Sequence, residues 1–132
     1  MTAQSTVEAA RRLIDSFNRG DVDAFVEELD PEVEFLLALP TMFGGESTVY
    51  RGHEGIREWL AELGETFAEF QVELSEIRER GERALAIGHL RGRGKESGAE
   101  VGSPVAYLTD FKNGKVIRME EFLDPRKALK RS

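Results

Sequence analysis

Residues 52–90 read GHEGIREWLAELGETFAEFQVELSEIRERGERALAIGHL, and partway along this stretch the apolar period changes. Ile56, Trp59, Leu60, Leu63 and Phe67 recur at the spacing of an amphipathic helix. From Phe70 the repeat falls to two, with Phe70, Val72 and Leu74 alternating with polar residues. After the turn at Arg80-Gly81-Glu82, the residues Leu85, Ile87, His89 and Arg91 alternate with Ala84, Ala86, Gly88 and Leu90. A helix that runs straight into long paired strands predicts an α+β protein, with helices on one face of a mostly antiparallel sheet.

Upstream, Ser5-Thr6-Val7-Glu8 fits a capping box, and Val7, Ala10, Leu13, Ile14 and Phe17 follow at helical spacing. Asn18-Arg19-Gly20 supplies a left-handed stop. Asp21 then caps a second helix whose inward residues are Val22, Phe25, Val26 and Leu29, and Asp30-Pro31 ends it. Residues 33–39 read as a short strand, with Val33, Phe35 and Leu37 on one face and Glu34, Leu36 and Ala38 on the other. A loop from Pro40 to Gly52 follows. Downstream, residues 101–111 and 116–123 complete four long strands, turning at residues 92–98 and at Asn113-Gly114. Three helices on one face of a curved sheet leave a concavity to be wrapped, and wherever the helices do not fill it a pocket remains.

The chain has 132 residues, 40% hydrophobic and 33% charged, which predicts one soluble domain over residues 1–132. Its net charge of −7 argues against nucleic acid or an anionic membrane as partner. Only the tail is basic (Arg126, Lys127, Lys130 and Arg131), as the last turn of a helix favours. There is no cysteine, so thiolate chemistry and disulfides are excluded. The N-terminal residues lack the apolar core of a signal peptide. The longest apolar run, Phe35 to Pro40, is too short to span a bilayer, so a cytoplasmic location is the default expectation.

Four phrases carry a resemblance that spans nearly the whole chain: FNRGDVDAFVEELDPEVEF, YRGHEGIREWL, DFKNGKVIRMEEFLDP and the closing RKAL. In order and spacing they resemble the nuclear transport factor 2-like superfamily, the fold of ketosteroid isomerase, and within it the SnoaL-like, polyketide-cyclase-like branch. The resemblance implies a cone-shaped α+β barrel, a pocket for a small hydrophobic molecule, and a homodimer. Its outward sheet face would supply the dimer interface through Leu36, Ala86, Leu90, Ala106 and Leu108.

The chemistries of two relatives do not carry over. Ketosteroid isomerase needs a carboxylate base, a tyrosine and a protonated aspartate. Aligned on Gly20, those positions fall on Leu37, Leu13 and either Ala106 or Tyr107. The Asp-Arg-Asp triad of limonene epoxide hydrolase falls near His89, Arg91 and Glu121, and only Glu121 keeps a carboxylate.

Strand parity groups His89 and Arg91 with Leu85 and Ile87, and Glu121 with Met119 and Leu123. The family pattern turns that face into the cone. The expected catalytic set is therefore His89, Arg91, Tyr107 and Glu121. The expected substrate wall is Phe17, Phe35, Leu37, Trp59, Ile87, Met119 and Leu123. Such groups serve proton transfer (isomerisation, cyclisation or dehydration) with no cofactor and no metal. Two further readings stand beside it: Arg91 and Glu121 as a structural ion pair with His89 bonded to Tyr107, and a non-catalytic ligand-binding or dimerisation module. Glu120, on the opposite parity, is expected at the surface. His53 is expected as a first-turn helix residue, and Phe43 beside Gly44-Gly45 as an ordinary loop or a lid.

Overall fold

A computed structural model describes residues 3–132, with side chains from Thr6 onward. Helix α1 spans Ala3–Arg19. It begins ahead of the expected capping box, so Ser5 lies within the helix, and its side chain is outside the described residues. The Thr6 hydroxyl donates instead to the Gly81 carbonyl at 3.0 Å, tying the helix to a distant hairpin turn. Gly20 takes the positive φ that the stop requires (72°). The Asp21 carboxylate accepts from the Ala24 N–H and caps α2 (Val22–Glu27). Val22 itself is exposed.

Strand β1 runs Leu29–Leu37. It starts earlier than the alternation indicated, because Pro31 sits within an irregularity of the pairing between Leu29 and Glu34. The segment expected as loop contains a 3-10 turn, Leu39–Phe43, and a short strand β2, Thr48–Arg51. Helix α3 (Gly52–Thr66) then leads into β3 (Phe67–Arg80), β4 (Arg83–Gly94), β5 (Glu100–Lys112) and β6 (Lys115–Phe122). Asn113 and Gly114 both take positive φ (51° and 79°), as a tight hairpin demands. The last helix, α4 (Pro125–Arg131), is capped by Asp124 and carries Lys130 and Arg131 in its final turn.

The six strands lie in the order β2-β1-β6-β5-β4-β3 and form an unclosed, curved sheet, antiparallel except where β1 runs beside β6. Helices α1, α2 and α3 pack on its concave face. There Phe25, Phe35, Leu29, Ile56 and Val33 form the largest core cluster. No described helix is long and apolar enough to cross a membrane.

The convex face differs from expectation. Leu85, Ala106, Leu108 and Phe122 are buried there against Ala128 of α4, with Ile87 partly buried beside them. Arg131 of α4 also pairs with Glu120 at 3.1 Å. Ala106 and Leu108 are thus outward but covered, while Ala86 and Leu90 face inward. Of the patch on which the dimer interface was reasoned, Ala106 and Leu108 are covered by the chain's own helix and Leu36 stays partly exposed.

Candidate functional site

The strand registers decide which side chains meet. Tyr107 lies opposite Glu121 across β5 and β6, Thr109 opposite Met119, and Ala86 opposite Tyr107 across β4 and β5. Directly opposed residues share a face. That face borders a cavity of about 190 Å³ between the sheet and α1–α3. Its wall is mainly aromatic and aliphatic, with Phe17, Trp59, Leu13, Leu37 and Met119 prominent. Phe17 stacks on Trp59 with ring centroids 5.9 Å apart and planes 11° from parallel.

Glu121 stands in this wall at 5% exposure. One carboxyl oxygen, Oε1, accepts two backbone N–H groups, from Leu39 at 2.8 Å and Ala38 at 3.0 Å. These amides open the Leu39–Phe43 turn, whose Leu39, Pro40 and Phe43 also border the cavity. Burial lifts the carboxyl above its ordinary value of 4.5, against the opposing pull of the Leu39 N–H, the Tyr107 hydroxyl and the Ala38 N–H. The Tyr107 hydroxyl is held well above its ordinary 10.0, first by burial and then by the adjacent Glu121 carboxylate. Tyr107 keeps some accessible surface although it lies deep, because it borders the cavity. A carboxyl shifted upward next to a phenol that stays protonated is a pair suited to moving a proton and holding an oxygen.

Of the four expected catalytic residues, the structure brings together two. His89 and Arg91 lie on the convex face and are exposed, and Arg91 pairs with Glu73 of β3 rather than with Glu121. Ile87, expected in the substrate wall, is on that same outer face. The reason is steric. Both faces of β4 are partly apolar, so polarity does not choose between them, and the concave side, which takes Ala84, Ala86, Gly88, Leu90 and Gly92, is crowded at its two glycines. A Cβ added at Gly92 would stand 3.0 Å from Phe70 and 3.1 Å from Phe67. A Cβ at Gly88 would overlap the Glu73 carbonyl oxygen, where β3 is bulged between Leu74 and Glu76. The proposed Arg91–Glu121 pair is therefore absent.

Among the expected wall residues, Phe17, Leu37, Trp59 and Met119 border the cavity. Phe35 is fully buried behind it, edge-on to Trp59 at 5.7 Å. Leu123 packs instead with the neighbouring cluster of Leu39 and Val105. His53 bonds the Leu29 carbonyl at 2.8 Å in the first turn of α3, a structural contact. Sequence reasoning missed the mouth, where Tyr50 donates to the Glu62 carboxylate (3.3 Å to the nearer oxygen) and Thr66 lies one turn on. The signal was present, since residues 59, 62, 63 and 66 share one face of α3. No three His, Asp or Glu side chains among the described residues gather as a metal site.

The curved, open sheet with helices on its concave face is the NTF2-like fold. A family model for the SnoaL-like domain matches residues 10–119, and the chain belongs to that family. No curated protein matches it. Among solved structures, an NTF2-like protein of unknown function from Burkholderia pseudomallei is 20% identical, with a TM-score of 0.82 over 98% of this chain and 97% of that one. TerC, crystallised with polyporic acid, is 21% identical with a TM-score of 0.80 over 96% of both chains. A protein with a ketosteroid isomerase-like fold from Catenulispora acidiphila, in complex with trimethylamine, is 12% identical with a TM-score of 0.76 over 87% of this chain and 84% of that one. These likenesses establish the fold.

Proposed function

We propose that the protein binds a small, largely apolar molecule bearing a carbonyl or hydroxyl group, and moves a proton on it without a cofactor. The observation that carries this reading is the buried Glu121 carboxyl, raised by burial and set against Tyr107 at the wall of an apolar cavity. Ionised Glu121 takes a proton from carbon next to the ligand carbonyl, while the Tyr107 O–H donates to the carbonyl oxygen as charge gathers there. The proton then returns from the Glu121 carboxyl to a second carbon, leaving both side chains as they began. Raising a carboxyl toward neutrality makes it a stronger base once ionised. Two proteins of the same fold hold small organic molecules, polyporic acid in one and trimethylamine in the other, which agrees with a ligand-binding cone.

The test is solvent deuterium exchange into a panel of enolisable aromatic ketones, followed by NMR, for wild type and Glu121→Gln. Exchange that drops about 10²-fold or more in the variant, with ligand binding retained, is the expected outcome. Equal exchange in the two proteins refutes the acid–base role.

One observation favours a second reading, ligand carriage without turnover. Glu121 Oε1 is already engaged by two amides, so its carboxyl serves the architecture as well as the cavity. Under that reading ligands bind both proteins and neither exchanges deuterium.

A further inference from the structure

A second concavity lies on the far side of the cavity's aromatic wall. It is an open groove of about 570 Å³ between the α1–α2 turn, α3 and the start of β3. Phe17, Phe25, Leu63, Phe67 and Phe70 border both spaces. Phe17 meets Phe70 edge to face at 5.8 Å and 87°, and Phe67 lies 5.1 Å from Phe70. Rings form much of this partition, and rings move by changing rotamer without breaking backbone hydrogen bonds. The sheet leaves room for them only because residue 92 is glycine, since a Cβ there would stand 3.0 Å from Phe70 and 3.1 Å from Phe67.

The groove's outer lip is polar and well held. The Asn18 side chain donates to the Val72 carbonyl at 2.8 Å and accepts its N–H at 2.9 Å, and the Gln71 amide donates to the Asn18 carbonyl at 3.0 Å. A fixed polar lip over an apolar floor suits an apolar chain lying along it. Size points the same way. Pockets for small molecules usually enclose roughly 300–1,000 Å³, and the inner cavity holds about 190 Å³. A ligand of ordinary size overfills the inner space and must continue beyond it.

We propose that the groove is the second half of the binding site, and that the ligand is elongated. Its oxygen-bearing ring lies against Glu121 and Tyr107, and its apolar tail passes the Phe17–Phe70 partition to lie against Leu60, Leu63 and Phe67. This rests on the cavity being a ligand site, as proposed above.

Trp59 is the sole tryptophan and borders the inner cavity, so its fluorescence reports ligand arrival there. The probes are para-cresol, para-butylphenol and para-nonylphenol, titrated below their aggregation limits. The variant is Gly64→Phe. Gly64 borders the groove and not the cavity, and a Cβ there meets nothing within 4 Å. Gly64→Leu serves as a smaller obstruction should the phenylalanine disturb the helix.

In wild type each methylene that enters the groove strengthens binding roughly fourfold, so the nonyl probe binds at least about 100-fold more tightly than cresol. In Gly64→Phe the nonyl probe loses roughly tenfold or more of that gain, while cresol stays within about twofold of wild type. If cresol binds and the length gain is the same in the variant, the tail leaves by the mouth at Tyr50, Glu62 and Thr66, and the bipartite site is overturned while the cavity reading stands. Cresol binding with no length gain at all overturns it equally. If no phenol perturbs Trp59, the cavity reading fails and this proposal fails with it.

Discussion

Replacing Glu121 by leucine and by glutamine separates what its oxygen does from what its charge does. Leucine has a similar volume but accepts nothing, so it strands the N–H groups of Ala38 and Leu39. A buried amide left without a partner costs about 1–3 kcal/mol. The Leu39 amide is buried and that of Ala38 partly so, which puts the gross loss near 3 kcal/mol. Leucine's own burial offsets about 1 kcal/mol of it, leaving a net loss of about 2 kcal/mol. At this chain length that lowers the melting temperature by roughly 8 °C. Glutamine retains an oxygen for both amides and is expected within about 1 kcal/mol of wild type.

The pH dependence has a definite sign. Burial raises the folded-state pKa of Glu121 above its ordinary 4.5, so above that pH the folded protein holds a proton that the unfolded chain releases. The stability tied to that proton is complete below about pH 4.5 and is lost as pH rises through the raised value. Wild type therefore loses stability relative to Glu121→Gln as pH increases across that window. Thermal melts of the three proteins from pH 4 to pH 8 test both points. A leucine variant that melts no lower than glutamine, or a wild type that gains on glutamine with rising pH, refutes the reasoning.

Two further outcomes follow from the strand faces. His89→Ala and Arg91→Ala are expected to leave ligand binding unchanged and to shift stability by less than about 1 kcal/mol, since both side chains are exposed and the Arg91–Glu73 pair faces solvent; loss of Trp59-reported binding in either would return them to the cavity. Ala128→Asp places a charge in the fully buried seat of α4 against Leu85, Ala106 and Phe122. A loss of about 3 kcal/mol is expected in denaturant titrations, with self-association as the apolar face is uncovered, and a variant as stable and monodisperse as wild type argues against the cover.

The hairpins from β3 to β6 were legible because their alternation is long and their turns hold residues that accept positive φ, as Asn113 and Gly114 do. Strand β2 was not, because four residues at a sheet edge, with Val49 exposed, carry no periodicity. Asp30-Pro31 was read as the end of the second helix, but that helix stops at Glu27 and Leu29 already belongs to β1, where an irregular pairing lets proline sit inside the strand. In the site, Tyr107 and Glu121 were legible through parity on β5 and β6. The same parity misplaced His89, Arg91 and Ile87, because it groups residues on one face without saying which side that face takes, and the family pattern supplied the wrong side. On β4 the close approach of Glu73 at Gly88, and of Phe67 and Phe70 at Gly92, marks the inner face. Glu62 and Thr66 were passed over because a polar residue on a helix looks like solvent surface until something hollow lies beneath it.

The parallel pairing of β1 with β6 has a consequence for the order of folding. Ala38 and Leu39 reach Glu121 across separations of 83 and 82 residues, and Phe35 pairs with Met119 over a similar span. Closing loops of that length is entropically slow, whereas the β3–β4 and β5–β6 hairpins are local. The hairpins are therefore expected to form early and the β1–β6 seam late. Glu121 acquires its two amide partners, and the cone its wall, only in that final step. A chain paused during synthesis before residue 121 would carry most of its secondary structure and no cavity.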